Sequence, residues 1–301
     1  MLLLKQYISF DIGGTDTKFA VLDENGAFLQ KGKFPTNRYS GQSILNHLIE
    51  VTKEQNDLTG VALSVPGFVN VENGYIEVGG AISDFNKFNI KDYLEAELQL
   101  PVSVENDVNC VALAEKWKGN AQHETDFLCM TIGTGIGGAC YLNNQLYRGS
   151  SYMAGEFGYM ITNGLQNNTV GRCTLSSTGG LWGLRERFAH YKGVAVEEVS
   201  GLDVFEAYEK GDPHALHEVN QFYDSLSIAI YNLFFLFNPN KILLGGAISQ
   251  RDDLINELTW RIQRLPSYRG EVPIECCFLK NDAGVLGALY HHFEMYQSLT
   301  E

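Results

Sequence analysis

With 301 residues, 45% hydrophobic and 19% charged, the chain is long enough for one large or two medium globular domains with ample core. Its formal net charge of −14 at pH 7 argues against nucleic acid and anionic membranes as partners, because both attract basic surfaces. The strongest apolar run, residues 228–237, is interrupted and too short for a membrane span, and Lys5 and Gln6 cut off Met1-Leu2-Leu3-Leu4 before it can form the core of a signal peptide, so a cytoplasmic protein is expected.

In chain order, an apolar strand-like run at residues 6–10 leads through Asp11-Ile12-Gly13-Gly14-Thr15 into a second at 18–22, then a polar reversal at Asp23-Glu24-Asn25-Gly26. A helical pattern at 44–52 and a strand at 60–65 follow. The strand at 102–105 closes on Glu105-Asn106-Asp107, which opens a helix over 107–118. A strand at 127–131 then runs through Gly133-Thr134-Gly135-Ile136-Gly137-Gly138 into another at 138–142, ending in Asn143-Asn144-Gln145. Helices are predicted at 180–190, 204–210, 214–237, 253–263 and 283–296, with strands at 241–244 and 274–279 between the later ones. Alternating strands and helices predict an α/β protein with at least partly parallel sheets. Strand, glycine turn, strand, polar turn, strand is written twice, which predicts two related halves with a sheet each.

A glycine turn between strands lets backbone N–H groups approach phosphate oxygens without side-chain obstruction. Either turn alone reads as a plain hairpin bend; the pair, in one register and with Asp11 and Thr15 beside the first, points to nucleotide binding and phosphoryl transfer. Residues 133–138 also fit G-x-G-x-x-G, with Glu156 near the spacing of a ribose-binding acid, but that motif must open a helix and here it opens a strand. A Walker-type G-x-x-x-x-G-K-[ST] is absent. Asn106 and Asp107 suit helix capping. They equally suit chemistry, since the C-terminal end of a strand is where α/β sheets bind ligands; there Asp107 can take a proton from a substrate hydroxyl that Asn106 holds.

Six cysteines without a C-x-x-C pair read as reduced, packed thiols. None of the seven histidines has ligand spacing tied to another motif, and His291-His292 are expected to be exposed on the last helix. Phe234-Phe235-Leu236-Phe237 reads as core helix. Tyr39, Tyr75 and Phe85 lie in or near loops where sugar stacking is conceivable but undistinguished from packing.

Taken in order, Asp11-Ile12-Gly13-Gly14-Thr15, Ser64-Val65-Pro66-Gly67, Glu105-Asn106-Asp107, the turn at 133–138, Gly155-Glu156-Phe157-Gly158, Asn238-Pro239, Gly245-Gly246 and Asp282-Ala283-Gly284-Val285-Leu286-Gly287 resemble the ROK family of sugar kinases and repressors. The resemblance spans nearly the whole chain. It implies a duplicated ribonuclease-H-like, actin-like ATPase fold with a cleft between two lobes, residues 1–118 (completed by the helix at 283–301) and 119–282. It implies ATP with Mg²⁺ as cofactors and a small-molecule sugar as partner, phosphorylated at the 6-hydroxyl, in a homodimer. Asp107 would be the catalytic base, with Gly67, Asn106 and Glu156 on the sugar. Gly13, Gly14, Thr15, Lys18, Gly133, Thr134 and Gly135 would serve the phosphates, Gly245 and Gly246 would lie near the nucleoside, and Asp11 would position Mg²⁺ through water.

The chain departs from the family where Gly-Glu-x-Gly-His and a Cys-x-Cys-Gly-x-x-Gly-Cys zinc cluster are common. Tyr159 takes the place of the histidine, and Gly171-Arg172-Cys173-Thr174 stands where the last cysteine and a sugar-binding glutamate are expected. One cysteine and a tyrosine cannot supply the four ligands of a structural zinc site, so no zinc is expected. Tyr159 and Thr174 would then border the anomeric end of the sugar, which favours a hexose, N-acetylhexosamine or β-glucoside other than plain glucose. The alternative within the family is a non-catalytic sugar-responsive regulator. Only ten residues precede Asp11, which argues against the helix-turn-helix domain of a repressor, and the retained Asp107 argues against a silent sensor.

Overall fold

The computed structural model describes residues 4–165, 173–266, 268 and 270–296; Gly171, Arg172 and the last five residues of the expected terminal helix segment lie outside the described residues. The chain opens with β1 (Gln6–Ile12), β2 (Asp16–Asp23), β3 (Phe28–Pro35), α1 (Gly41–Lys53), β4 (Leu58–Val65), β5 (Phe68–Asn70), β6 (Tyr75–Val78), β7 (Phe88–Asn89), α2 (Ile90–Leu98), β8 (Val102–Asn106) and α3 (Asp107–Lys118). It continues with β9 (Phe127–Ile132), β10 (Ile136–Leu142), β11 (Gln145–Tyr147), α4 (Leu175–Gly179), α5 (Leu181–Lys192), α6 (Gly201–Glu209), α7 (Pro213–Phe237), β12 (Lys241–Gly245), α8 (Leu254–Ile262), β13 (Ile274–Cys276) and α9 (Ala283–Tyr296).

The two five-stranded sheets have the same plan. The first runs β3-β2-β1-β4-β8 and the second β11-β10-β9-β12-β13. In each, the glycine turn joins an antiparallel pair (β1 with β2, β9 with β10), and β4 and β8, like β12 and β13, add in parallel on the other side. A small third sheet, β5-β6-β7, is antiparallel. The fold is therefore the expected duplicated α/β architecture. Parallel strands need helical crossovers, which cover both faces, so β1 and β9 are buried almost end to end rather than alternating. At the other extreme β3, an edge strand, is mostly exposed and carries Lys31 and Lys33, a common guard against edge-to-edge association.

The chain forms two compact units. One contains the residues up to His123, Leu146–Ala154 and the residues from Phe278 on; the other contains Glu124–Gln145 and Gly155–Cys277. The sequence reading gave Leu146–Ala154 to the second half, but Arg148 and Tyr152 bond to Glu105 and Asn70 in the first. Each unit has its own apolar core: Ile8, Phe10, Leu63 and Val104 with Ile44 and Leu48 in the first, and Leu128, Met130, Leu244 and Leu226 with Phe222 and Leu184 in the second.

Two expectations about side chains fail. His291 and His292 are buried, at 2% and 3% exposure, because α9 is clamped between α3 on one side and β1, β4 and β8 on the other. Nδ1 of His292 lies 3.0 Å from the Ser103 hydroxyl, and its ring leaves no room for a Cβ at Gly60. Of the aromatic run at the end of α7, Phe234 and Phe237 pack against the core while Phe235 and Leu236 are 56% and 72% exposed, because the last turn of the helix meets the core on one side only. All six cysteines are free; Cys173 and Cys276 are half-buried and the other four buried. Among the described residues no helix is long and apolar enough to cross a membrane.

Burial pushes the imidazoles of His291 and His292 down from 6.5 to about 4. Between those pH values the unfolded chain binds protons that the folded chain refuses, so this contribution to stability is complete above about pH 6.5 and lost as pH falls towards 4, by on the order of a few kcal/mol. Thermal unfolding between pH 7.5 and 4.5 should show Tm falling through that window, with a shallower fall in His292→Gln; equal slopes in the two proteins would remove this histidine as a cause.

Candidate active site

In the first unit the pairing register builds a row of polar side chains across the sheet. Lys18 on β2 faces Asp11 on β1, Asp11 faces Ser64 on β4, and Ser64 faces Glu105 on β8. Partners in register project from the same side of a sheet, so all four point one way. The row sits at the C-terminal ends of β1, β4 and β8, where α/β sheets present ligand sites. The Ser64 hydroxyl donates to Asp11 Oδ1 at 2.8 Å, and Lys18 Nζ stands 3.7 Å from Oδ2. Gly284, at the start of α9, lies so close behind the Asp11 carboxylate that no Cβ fits there. Asp11 thus has a fixed direction, and its side chain keeps 19% exposure beside the glycine turn.

Next to this row β8 becomes α3. The Asn106 side chain accepts from the N–H groups of Val108 and Asn109, at 2.9 and 3.1 Å, and is the N-cap. Its amide donates to the Gly67 carbonyl at 3.0 Å. Gly67 has φ +102°, and any Cβ would collide with the carbonyl of Val78, so glycine alone allows that approach. Asp107 is the first helical residue, where a carboxylate is favoured by the helix dipole. The capping role weighed for the Asn106-Asp107 pair falls to Asn106, so the fold does not need Asp107 as the cap. The structure brings Gly67 and Asn106 into contact, with Asp107 the next residue, at the same end of the sheet as Asp11.

The second unit repeats the frame with different chemistry. Residues 11–15 and 131–135 share one burial sequence, in which the third residue is half-covered and the next two are exposed. Gly14 and Thr15 are open to solvent in the first turn, as are Thr134 and Gly135 in the second. A Cβ at Gly14 or Gly133 would meet nothing within 4 Å, so glycine at these two positions is not required by internal packing, whereas one at Gly13 would lie 2.9 Å from the Asp16 carbonyl oxygen. Gly13 N–H bonds Asp16 and Gly133 N–H bonds Gly135, which closes each turn. The second turn is also fixed by α5, whose Leu181 and Trp182 N–H groups bond the carbonyls of Gly133 and Thr134. In the polar row, Thr131 takes the position of Asp11 and Gly245 that of Ser64. Gly245 is buried and Gly246 exposed at the end of β12; a Cβ on Gly246 would lie 2.5 Å from the Ile132 carbonyl oxygen, a packing reason for glycine apart from any ligand.

Glu156 lies between two glycines pressed on β10. A Cβ on Gly155 would fall 2.7 Å from the Gly138 carbonyl oxygen, and one on Gly158 would overlap that of Ile136. The segment therefore hugs the strand and holds the Glu156 carboxyl in a half-buried position, where desolvation raises its pKa above the ordinary 4.5. Tyr159 is 66% exposed. Thr174 opens α4, its carbonyl accepting from Ser177 and Thr178 while its hydroxyl donates to Ser177 Oγ at 3.3 Å. Among the described residues no group of three or more His, Cys, Asp or Glu is arranged to hold a metal ion.

Sequence reasoning missed two supports of the site: the Ser64 hydroxyl on Asp11, and an ion pair between the buried Glu105 and the part-exposed Arg148. Ser64 had a signal in its place at the end of an apolar strand, beside Pro66-Gly67. Arg148 had none.

A family model described as the ROK family matches residues 7–292. The β-glucoside kinase of Listeria innocua is 41% identical over 286 residues, covering 95% of this chain and 97% of that protein. The β-glucoside kinase of Klebsiella pneumoniae is 37% identical over 290 residues, covering 96% and 97%. Among solved structures, Lmo2764 of Listeria monocytogenes, described as a candidate N-acetylmannosamine kinase, superposes with a TM-score of 0.91 at 40% identity, covering 96% of this chain and 99% of that one.

Two outcomes are expected from this geometry. Asp107→Asn should lower kcat about 10²–10⁴-fold with Tm and nucleotide affinity nearly unchanged, because the helix cap is supplied by Asn106; a mutant turning over at half the wild-type rate would end the role of Asp107 as base. Secondly, if the Glu156 carboxylate accepts hydroxyls of the sugar, the KM for sugar should climb as pH is lowered, because desolvation raises its pKa and the acceptor is lost at a higher pH than for an ordinary glutamate. Glu156→Gln should have a high KM that no longer responds to pH, and a wild-type KM flat with pH would contradict the assignment.

Proposed function

The chain belongs to the ROK family and is a sugar kinase that uses ATP, and on that footing we propose that its preferred acceptor is a β-glucoside, phosphorylated at the 6-hydroxyl. The observation that carries the choice of acceptor is the ring of Tyr159, two-thirds exposed and three residues beyond Glu156. With Thr174 bonded to its own helix, neither residue offers the carboxylate or imidazole that would hold a free anomeric hydroxyl. An exposed aromatic ring instead gives a second sugar ring an apolar face to stack on. The near full-length similarity to two β-glucoside kinases supports the same reading.

In the proposed reaction the sugar hydroxyl attacks the γ-phosphorus in line, forming the new O–P bond as the bond to the β,γ-bridging oxygen breaks and ADP leaves with its electrons. Asp107 accepts the hydroxyl proton. Asn106, its carbonyl committed to the cap and one amide hydrogen to Gly67, has a second amide hydrogen with which to hold the attacking oxygen. Glu156 accepts from sugar hydroxyls. The N–H groups of the exposed turn residues Gly14, Thr15, Thr134 and Gly135, with Lys18, serve the phosphate oxygens, while those of Gly13 and Gly133 close the turns. Asp11 is an oxygen donor of fixed direction, which suits Mg²⁺ held through its waters, and the ion would supply charge neutralisation at the phosphoryl oxygens.

The test is kcat/KM for cellobiose, glucose and N-acetylmannosamine under one set of conditions, with the position of the phosphate read by NMR. Cellobiose should be used at least as well as glucose, with the phosphate coupled to the C6 methylene protons. Inert cellobiose beside efficient glucose turnover would overturn the choice of acceptor.

A further inference from the structure

Behind Asn106 and Asp107 lies a carboxylate with almost no contact with water. The Glu105 side chain is 1% exposed. Its Oε1 accepts from the Asn106 N–H at 2.8 Å and from Asn109 Nδ2 at 3.0 Å. Its Oε2 accepts from Arg148 Nε at 2.7 Å and Nη2 at 2.6 Å. His291 Nδ1 is 3.9 Å away, but that buried imidazole is neutral at pH 7. The compensating charge therefore comes from Arg148, which meets the carboxylate with two donors of its planar fork.

Arg148 belongs to a short loop tied to the same structure at both ends. The Tyr152 hydroxyl donates to Asn70 Oδ1 at 2.8 Å, on the strand that follows Gly67, and the Ala154 N–H bonds back to the Arg148 carbonyl at 3.2 Å. Tyr152 itself sits at φ +59°, a strained conformation for a bulky residue and one that persists only where surrounding contacts enforce it. Stability alone is a poor reason for such an arrangement. A buried carboxylate paired with a part-exposed guanidinium gains little over an apolar pair of similar volume, because the desolvation of Glu105 offsets the attraction. What the pair does hold is the backbone N–H of Asn106 and the side chain of Asn109, the residues on either side of Asp107.

We propose that Arg148 and Glu105 are positioning residues for phosphoryl transfer: the pair fixes the strand-to-helix junction so that Asn106 and Asp107 meet the attacking hydroxyl in reactive geometry. The inference rests on Asp107 being the base. Its effect is on kcat, since a small misplacement of a reacting group costs orders of magnitude in rate while leaving binding contacts largely in place.

The experiment compares Arg148→Lys, Arg148→Met and the double variant Glu105→Gln/Arg148→Met in the full chain, reading kcat, sugar KM, nucleotide affinity and Tm, with Asp107→Asn alongside. Arg148→Lys keeps the charge but loses the two-donor fork; it should fold, bind nucleotide as wild type does, and lose 10–100-fold in kcat with sugar KM changed less than threefold. Arg148→Met leaves a buried charge unpaired and should lose Tm as well. The double variant removes both charges and should recover Tm without recovering kcat. A purely structural pair would give the opposite result, with kcat returning alongside Tm, and that outcome or a wild-type kcat in Arg148→Lys overturns the proposal. An active Asp107→Asn would instead bring down the reading of the site on which it rests.

Discussion

The site in the first unit depends on how a buried strand becomes a helix. When β8 ends, α3 begins with N–H groups that have no partner within the helix. Asn106 satisfies two of them and is itself held by Gly67 in front and by Glu105 at its own N–H. A cap usually needs one side chain and local turn geometry. This one draws on β4, β5, β8 and the loop at Arg148, so the first turn of α3 has little freedom. Asp107 benefits because it occupies the first helical position without having to serve as the cap.

The duplication separates scaffold from chemistry. Both glycine turns are closed by a hydrogen bond from their first glycine, to a carbonyl three residues on in one and two in the other, and share one burial sequence, so the frame that presents N–H groups to solvent is common to the two units. The polar row is not. Lys18, Asp11, Ser64 and Glu105 line up in the first sheet, while Thr131 and Gly245 take the corresponding places in the second. A carboxylate beside a turn repels a phosphate there unless a cation offsets it, so on the proposed reading one acidic row is useful and a second would oppose binding. Cys110, buried beneath the acidic row, feels Glu105, Asp11 and Asp107, and together with burial these charges raise its pKa well above the ordinary range; the thiol stays protonated and inert.

Function also costs stability at identifiable places. Glu156 is held half-buried with a raised pKa, so its charged form is less well solvated in the folded chain than in the unfolded one. Gly67 and Gly155 keep positive φ angles and exclude every side chain, because their backbones lie directly against the carbonyls of Val78 and Gly138. Such constraints gather where groups must be held in fixed geometry, and each is supported by the core of its own unit.

Periodicity and order along the chain determined much by themselves. Alternating strands and helices, two glycine turns in one register and the acid at the end of the strand at 102–105 were enough for an α/β chain in two related halves and for singling out the two turns with Asn106 and Asp107, because each is a local pattern: strand alternation, turn chemistry, a cap; the remaining candidate residues came only with the family resemblance. The short strands β5–β7 and the helix α2 escaped that reading, being too short or too polar for a periodic signal. Tertiary structure alone decided the partners. Two adjacent histidines on a terminal helix look exposed until α9 is seen enclosed by α3 and the sheet, and two of four apolar residues at the end of α7 turn outward because only one side of that helix meets the core. Whether Asn106 or Asp107 caps α3 depended on where Gly67 lies, 39 residues earlier. The fork of Arg148 on Glu105 joins residues 43 apart. A hydrogen bond needs two atoms within about 3 Å in the right direction, and sequence spacing fixes such distances only within a turn or two of chain. Beyond that range, the packing of distant elements chooses which polar groups meet.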